Sequence, residues 1–202
     1  MTNPHPATQA VDWELRYQEG ATGWERPGMN PAFVSWLDDR VLTPCRILVP
    51  GAGRSPEPVA LAEAGFDVTV IDSAPSAVAV QRARLAALHV RARVELADVF
   101  AWKPAVPFDA VYDQTCLCAL PPPKWPDYVA RLGSWLTPGG RLFVLFMQTG
   151  QPGGPPFHCD LAKMRELFAP DRWDWPERLG PTVFHSPGRE EQPAVLRTRP
   201  AG

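Results

Sequence analysis

The chain has 202 residues, a length that suits one domain with a core of its own. A net charge of −2 provides no basic surface for a phosphate backbone, and no run of about 18 apolar residues offers a membrane span. The start of the chain lacks a basic segment leading into an apolar one, so a cytoplasmic protein with neither nucleic-acid nor membrane partners is expected, as monomer or dimer.

Residues 1–10 are polar, carry two prolines, and read as a disordered tail before a single domain over 11–202. A short amphipathic helix is predicted over 11–18, with Asp12 as N-cap and Trp13 and Tyr17 four apart on one face. A loop punctuated by glycine and proline carries Trp24, and the spacing of Phe33, Trp36 and Leu37 predicts a second helix over 31–41. Tryptophan is costly to expose, so Trp13, Trp24 and Trp36 are expected in the core or lining a pocket.

From there strands and helices alternate. An apolar run over 46–50 reads as a buried strand, and the next helix opens with a Ser55 hydroxyl cap and Pro56 at its first position, closing at Gly65. Strands are predicted over 67–72, 93–96, 108–113 and 141–147, with helices over 75–89, 125–136 and 161–168. Segments 173–184 and 194–198 are expected as a final pair of edge strands. Strands separated by helical patterns predict a doubly wound α/β fold, a mostly parallel sheet with helices on both faces.

The chemistry starts at Gly51-Ala52-Gly53, a turn between the first strand and its helix. Such a turn suits a dinucleotide or S-adenosylmethionine, or stands as a tight turn with no ligand. Dinucleotide enzymes follow it with a third glycine, where this chain has Pro56. Asp72, ending the second strand, is an acceptor for both hydroxyls of a ribose, whichever nucleoside carries it. Asp98 beside Val99 and Phe100 follows the third strand and fits the amine and faces of an adenine. "LTPGGRLFVLF" then closes a helix and opens the fifth strand.

Turn, ribose acid, third-strand acid and "LTPGGRL", in this order, resemble a class I S-adenosylmethionine-dependent methyltransferase. The segments "DWELRYQEGATGWERPGMNP" and "FDAVYDQTCLCALPP…GQPGGPPF" further resemble the thiopurine S-methyltransferase family, with its thiol and halide branch. The resemblance runs from about Trp13 to Phe168. It implies a Rossmann-like, seven-stranded sheet under an N-terminal helical cover. It also implies that S-adenosylmethionine is bound and S-adenosylhomocysteine released. Trp13, Tyr17 and Trp24 fall on aromatic cofactor-contacting positions, Gly51, Ala52 and Gly53 on the turn, and Asp72 and Ser73 on the ribose site. Asp98, Val99 and Phe100 take the adenine site, and Asp113 and Gln114 stand beside the methionine part. Trp24, Pro156 and Phe157 border the acceptor pocket. Tyr17 replaces a common tryptophan, and Phe157 stands where the halide and thiol branch often has tyrosine, which removes a hydroxyl from the pocket edge.

The implied reaction is an in-line displacement that discharges a sulfonium. A soft acceptor such as a thiol needs orientation and a water-poor pocket more than acid–base help. An oxygen or nitrogen acceptor calls for a base, for which His158 and Asp113 are the candidates. Oxygen, nitrogen, selenium or tellurium acceptors, an NAD-dependent enzyme, and a non-catalytic cofactor-binding protein remain as alternatives. Cys116, Cys118, His158 and Cys159 could be drawn as a zinc site, but structural zinc pairs typically have two to four residues between them, and only one stands between Cys116 and Cys118. The four cysteines therefore read as reduced thiols, and no metal is expected.

Overall fold

The computed structural model describes residues 11–200, so the expected tail over 1–10 lies outside the described residues. Helices α1 (Trp13–Gln18) and α2 (Pro31–Asp38) lead into β1 (Arg46–Pro50), α3 (Glu57–Glu63), β2 (Asp67–Asp72), α4 (Pro75–Ala87) and β3 (Arg93–Leu96). Then come β4 (Phe108–Gln114), α5 (Cys116–Ala119), a 3-10 turn at Pro122–Lys124, α6 (Trp125–Trp135), β5 (Leu136–Gln148) and α7 (Leu161–Leu167). The chain closes with β6 (Trp173–Asp174), β7 (Val183–Ser186) and β8 (Arg189–Thr198).

All eight strands join one sheet in the order β3-β2-β1-β4-β5-β8-β6, with β7 also paired to β8. The pairs β1–β2, β1–β4, β2–β3 and β4–β5 are parallel, while β8 runs antiparallel to β5, β6 and β7. Helices cover both faces, as parallel strands that are apolar on both sides require. One face buries Phe33 and Trp36 of α2, Leu61 of α3 and Leu85 of α4 against Ile47 and Val70. The other buries Tyr128, Leu132 and Trp135 of α6, with Met164 of α7, against Leu48 and Val111. The chain runs from β1 to β3 in one direction, then returns to β4 on the other side of β1. Open α/β sheets place ligands in the crevice at that reversal, outside the carboxyl ends of the strands.

The doubly wound expectation holds, with one more strand than the seven expected. Several boundaries shift for local reasons. Helix α2 stops at Asp38 rather than at 41, with Asp39 as C-cap and Arg40 at φ +55°. Two acids at a helix C-terminus oppose its dipole, which favours stopping there. Helix α4 stops at Ala87 because His89 turns left-handed, and Val90 N–H reaches back to the Leu85 carbonyl. The Ser55 hydroxyl does not cap α3; Pro56 holds that position, while the Ser55 carbonyl accepts from Gln81 Nε2 at 2.9 Å. "TPGG" is drawn into β5 as an irregularity, pinned by the Thr198 hydroxyl donating to the Thr137 carbonyl at 2.8 Å. The final segment holds three strands instead of two, and β8 is not an edge strand, since β5 flanks it on the other side.

Candidate active site

A cleft of about 690 Å³ opens at the carboxyl ends of β1 and β4 and is lined from both halves of the chain. Its floor is the glycine turn. Gly51 and Gly53 both have φ +56°, a region that costs other residues about 1–2 kcal/mol. Space tightens the requirement: a Cβ on Gly51 would sit 2.7 Å from Cys116 Sγ, and one on Gly53 would sit 2.6 Å from the Tyr17 hydroxyl. The missing Cβ atoms thus make room for Cys116 and Tyr17 against the turn, and both glycines line the cleft.

Asp72 fixes that turn from the end of β2. Gly53 N–H donates to its Oδ2 at 2.8 Å, and Ala74 N–H donates to Oδ1 at 2.9 Å. An ionised carboxylate offers about four acceptor positions, so two remain for incoming hydroxyls. The residue is 7% exposed, and burial raises its pKa despite the amides that favour the charged form. Ser73, Asp98, Val99 and Phe100 line the same cleft, and Phe100 N–H donates to Asp98 Oδ1 at 2.7 Å. Gln114 lines it too, followed by Thr115 in a left-handed conformation at φ 63°.

The N-terminal helix covers this floor with aromatic rings. Trp24 meets Trp13 edge-on at 5.3 Å and Tyr17 at 5.5 Å. The Arg54 guanidinium lies 4.5 Å from the Tyr17 ring centre. Asp12 caps α1 by accepting from Leu15 N–H at 3.0 Å. Glu14 ties the helix down by accepting from Ser76 N–H at 2.8 Å and from the Ser76 hydroxyl at 2.7 Å, bonds that hold its pKa below the ordinary range. The tie escaped the sequence reading because it joins positions 62 residues apart. Of the three tryptophans flagged by composition, Trp13 and Trp24 line the cleft, whereas Trp36 is core beside Tyr112 and Phe143.

Three expected site residues stand elsewhere. Asp113 is fully buried under the cleft rather than lining it, accepting from the Tyr128 hydroxyl at 2.8 Å and Leu117 N–H at 3.2 Å. Burial pushes its pKa to about 6. His158 Nδ1 accepts from Thr149 and Gly150 N–H groups at 3.1 and 3.3 Å, and its ring lines a second cavity of about 380 Å³. Phe157 faces that smaller cavity and packs in the core, with its N–H on the Cys118 carbonyl at 2.7 Å. Pro156 does reach the main cleft, together with Pro155. Gly154 is needed behind them, because a Cβ there would sit 2.7 Å from the Phe157 ring.

All four cysteines are free, and burial raises their pKa values, that of Cys159 to about 12. They are therefore protonated and poor nucleophiles. Among the described residues, no group of three or more His, Cys, Asp or Glu side chains is placed to hold a metal ion.

The geometry invites comparison with known proteins. A family profile described as thiopurine S-methyltransferase matches residues 8–194. Thiocyanate methyltransferase 1 of Arabidopsis thaliana is 28% identical over 198 residues, covering 96% of this chain and 82% of that protein. A thiopurine S-methyltransferase of Legionella pneumophila is 27% identical over 164 residues, covering 72% of this chain and 74% of its own. The crystal structure of 1,6-didemethyltoxoflavin-N1-methyltransferase from Burkholderia thailandensis, with its substrate and S-adenosylhomocysteine bound, superposes with a TM-score of 0.72. At 21% identity over 92% of this chain and 85% of that one, it shares the fold.

Proposed function

The chain belongs to the thiopurine S-methyltransferase family, and from that premise we propose that it transfers the methyl group of S-adenosylmethionine to a small soft acceptor, a thiol. The observation that carries the reading is one continuous cleft joining the glycine turn, Asp72 and Asp98 to the aromatic cover and to Pro155 and Pro156.

The residues present fit this co-substrate. The glycine turn lines the cleft where the methionine end would lie, and the open acceptor positions of Asp72 suit ribose hydroxyls. Val99 and Phe100 supply apolar walls for adenine, with the Asp98 carboxylate beside them. Bound there, S-adenosylmethionine supplies a methyl group made electrophilic by its sulfonium. Trp13, Tyr17 and Trp24 keep water out, and aromatic faces near a sulfonium add about 0.5–2 kcal/mol of attraction. Met147, Cys118 and Leu120 extend an apolar wall toward Pro155 and Pro156, which suits a soft acceptor. Four free cysteines suit a reducing, cytoplasmic compartment.

Calorimetry with S-adenosylmethionine and S-adenosylhomocysteine, followed by a turnover screen, tests the reading. The screen compares thiols, thiopurines, thiocyanate, halides and selenium acceptors by S-adenosylhomocysteine released. Binding with fastest turnover on thiols is expected. Failure to bind either cofactor form would overturn it, and binding without turnover would leave a cofactor-binding protein.

A further inference from the structure

A buried polar cluster reaches the cleft at Arg26 and His185 and extends to Glu57 at the start of α3. His185 lines the cleft, yet only 2% of its side chain is exposed. Its Nδ1 lies 3.2 Å from Glu191 Oε1 and 3.5 Å from Arg26 NH1. Glu191 is fully buried; its Oε2 accepts from Asn30 Nδ2 at 2.6 Å and faces Arg26 NH1 at 3.5 Å. Asn30 N–H in turn donates to Glu57 Oε1 at 2.8 Å. Glu57 belongs to α3 and has a second oxygen that is buried and unpartnered. No hydrogen bond among the described residues uses His185 Nε2.

The backbone is shaped for this arrangement. The β7–β8 register pairs Val183 with Glu191 and then slips between Phe184 and Ser186, with His185 at the slip. Bulges re-aim a side chain, and here the irregularity accompanies a histidine brought to Glu191. A carboxylate on one ring nitrogen fixes the tautomer and leaves the other nitrogen basic, the relation that activates nucleophiles in many unrelated sites.

We propose that His185, oriented by Glu191 through its Nδ1, is the base that takes the proton of a thiol acceptor. The assignment rests on the thiol reading above and sharpens it: the acceptor arrives as the neutral thiol. The S–H bond breaks and its proton passes to Nε2. The sulfur electron pair forms the new S–CH3 bond as the methyl–sulfonium bond breaks, and those electrons return to the departing sulfur as S-adenosylhomocysteine. The products are a methyl thioether and an imidazolium, facing Glu191 and the Arg26 that balances it.

Two measurements test the proposal. In the unliganded protein, 15N-histidine NMR at neutral pH should show His185 protonated at Nδ1 and bare at Nε2. The Nε2-protonated tautomer, with Nδ1 accepting from Arg26, would overturn it. In kinetics, H185Q should lose on the order of 100-fold in kcat with an alkanethiol, as expected for removing a general base. With an acidic aromatic thiol, already ionised at the assay pH, the loss should be within threefold. H185A with added imidazole should regain alkanethiol turnover, which covers the case of a poorly folded glutamine variant. Equal losses on both thiols, or none on either, would overturn the assignment. Calorimetry of each variant with S-adenosylhomocysteine separates this failure from failure of the cofactor reading, since binding should be unchanged.

Discussion

Two parts of the cleft are built on different principles. The part proposed for the cofactor is assembled within the first half of the chain: a turn at Gly51–Gly53, an acid 19 residues on at Asp72, and a loop at Asp98–Phe100. The cluster proposed to orient His185 is assembled from the two ends, since Arg26 meets Glu191 across 165 residues and Asn30 meets it across 161. The first part is a strand-turn-helix unit with a nearby loop, and the second is a late hairpin whose strand β8 pairs along β5. On the proposed reading, cofactor recognition is local in sequence and proton removal from the acceptor is tertiary.

Asp72→Ala breaks the contrast most severely. It removes the acceptor for Gly53 N–H and for the proposed ribose hydroxyls, so calorimetric affinity for S-adenosylmethionine should fall roughly 100-fold or more, at about 1.5–3 kcal/mol per hydrogen bond to a charged group. The His185 spectrum should not change. Unaltered affinity would remove Asp72 from the ribose site.

Asp113→Asn probes the packing beneath the cleft. The folded protein raises this carboxyl from 3.8 to about 6, so the fold prefers its neutral form. That stabilisation is complete below about pH 4 and is lost as pH rises through about 6, on the order of 3 kcal/mol in all. Asparagine cannot titrate, so denaturation midpoints across pH 4–7 should show the wild type losing stability relative to the variant. Parallel curves would contradict the buried, neutral-preferring assignment.

Gly53→Ala tests how tightly the cover presses on the turn. The new Cβ would meet the Tyr17 hydroxyl at 2.6 Å, whereas the next Tyr17 atom stands at 3.9 Å. Thermal melts should show a loss that Tyr17→Phe partly restores in the double variant, leaving about 1–2 kcal/mol from the positive φ. An additive double variant would mean that the cover does not touch the turn. His158→Ala should do least: two amides lose their acceptor, about 1 kcal/mol of stability, while kcat on an alkanethiol stays within twofold. A large loss of kcat there would move the base from His185 to the other cavity.

The same contrast explains what the sequence revealed. Glycines forced by a left-handed turn, an acid at a strand end and rings spaced four apart are short-range signals, and most of the residues expected at the cofactor line the cleft. The sequence does not show the burial of Asp113, because a strand-end acid looks the same whether it lines a cleft or meets the Tyr128 hydroxyl beneath it. The sequence does not separate His158 from the nearby Pro155 and Pro156, although its ring lines the smaller cavity and they line the cleft. His185 and Glu191 left only a weak trace, "HSPGREE", whose spacing gives no sign of the register slip that brings them together. Pro193 hid the length of β8, since a proline inside a predicted strand argues against it, although here it pairs with Leu145.

The central claim is S-methylation of a neutral thiol, and mass spectrometry with methyl-labelled S-adenosylmethionine and an alkanethiol tests it most directly. Labelled methyl thioether and S-adenosylhomocysteine should appear one to one, with both slowed together in H185Q. Cofactor binding without thioether from any thiol, or label appearing on an oxygen or nitrogen acceptor instead, would contradict it.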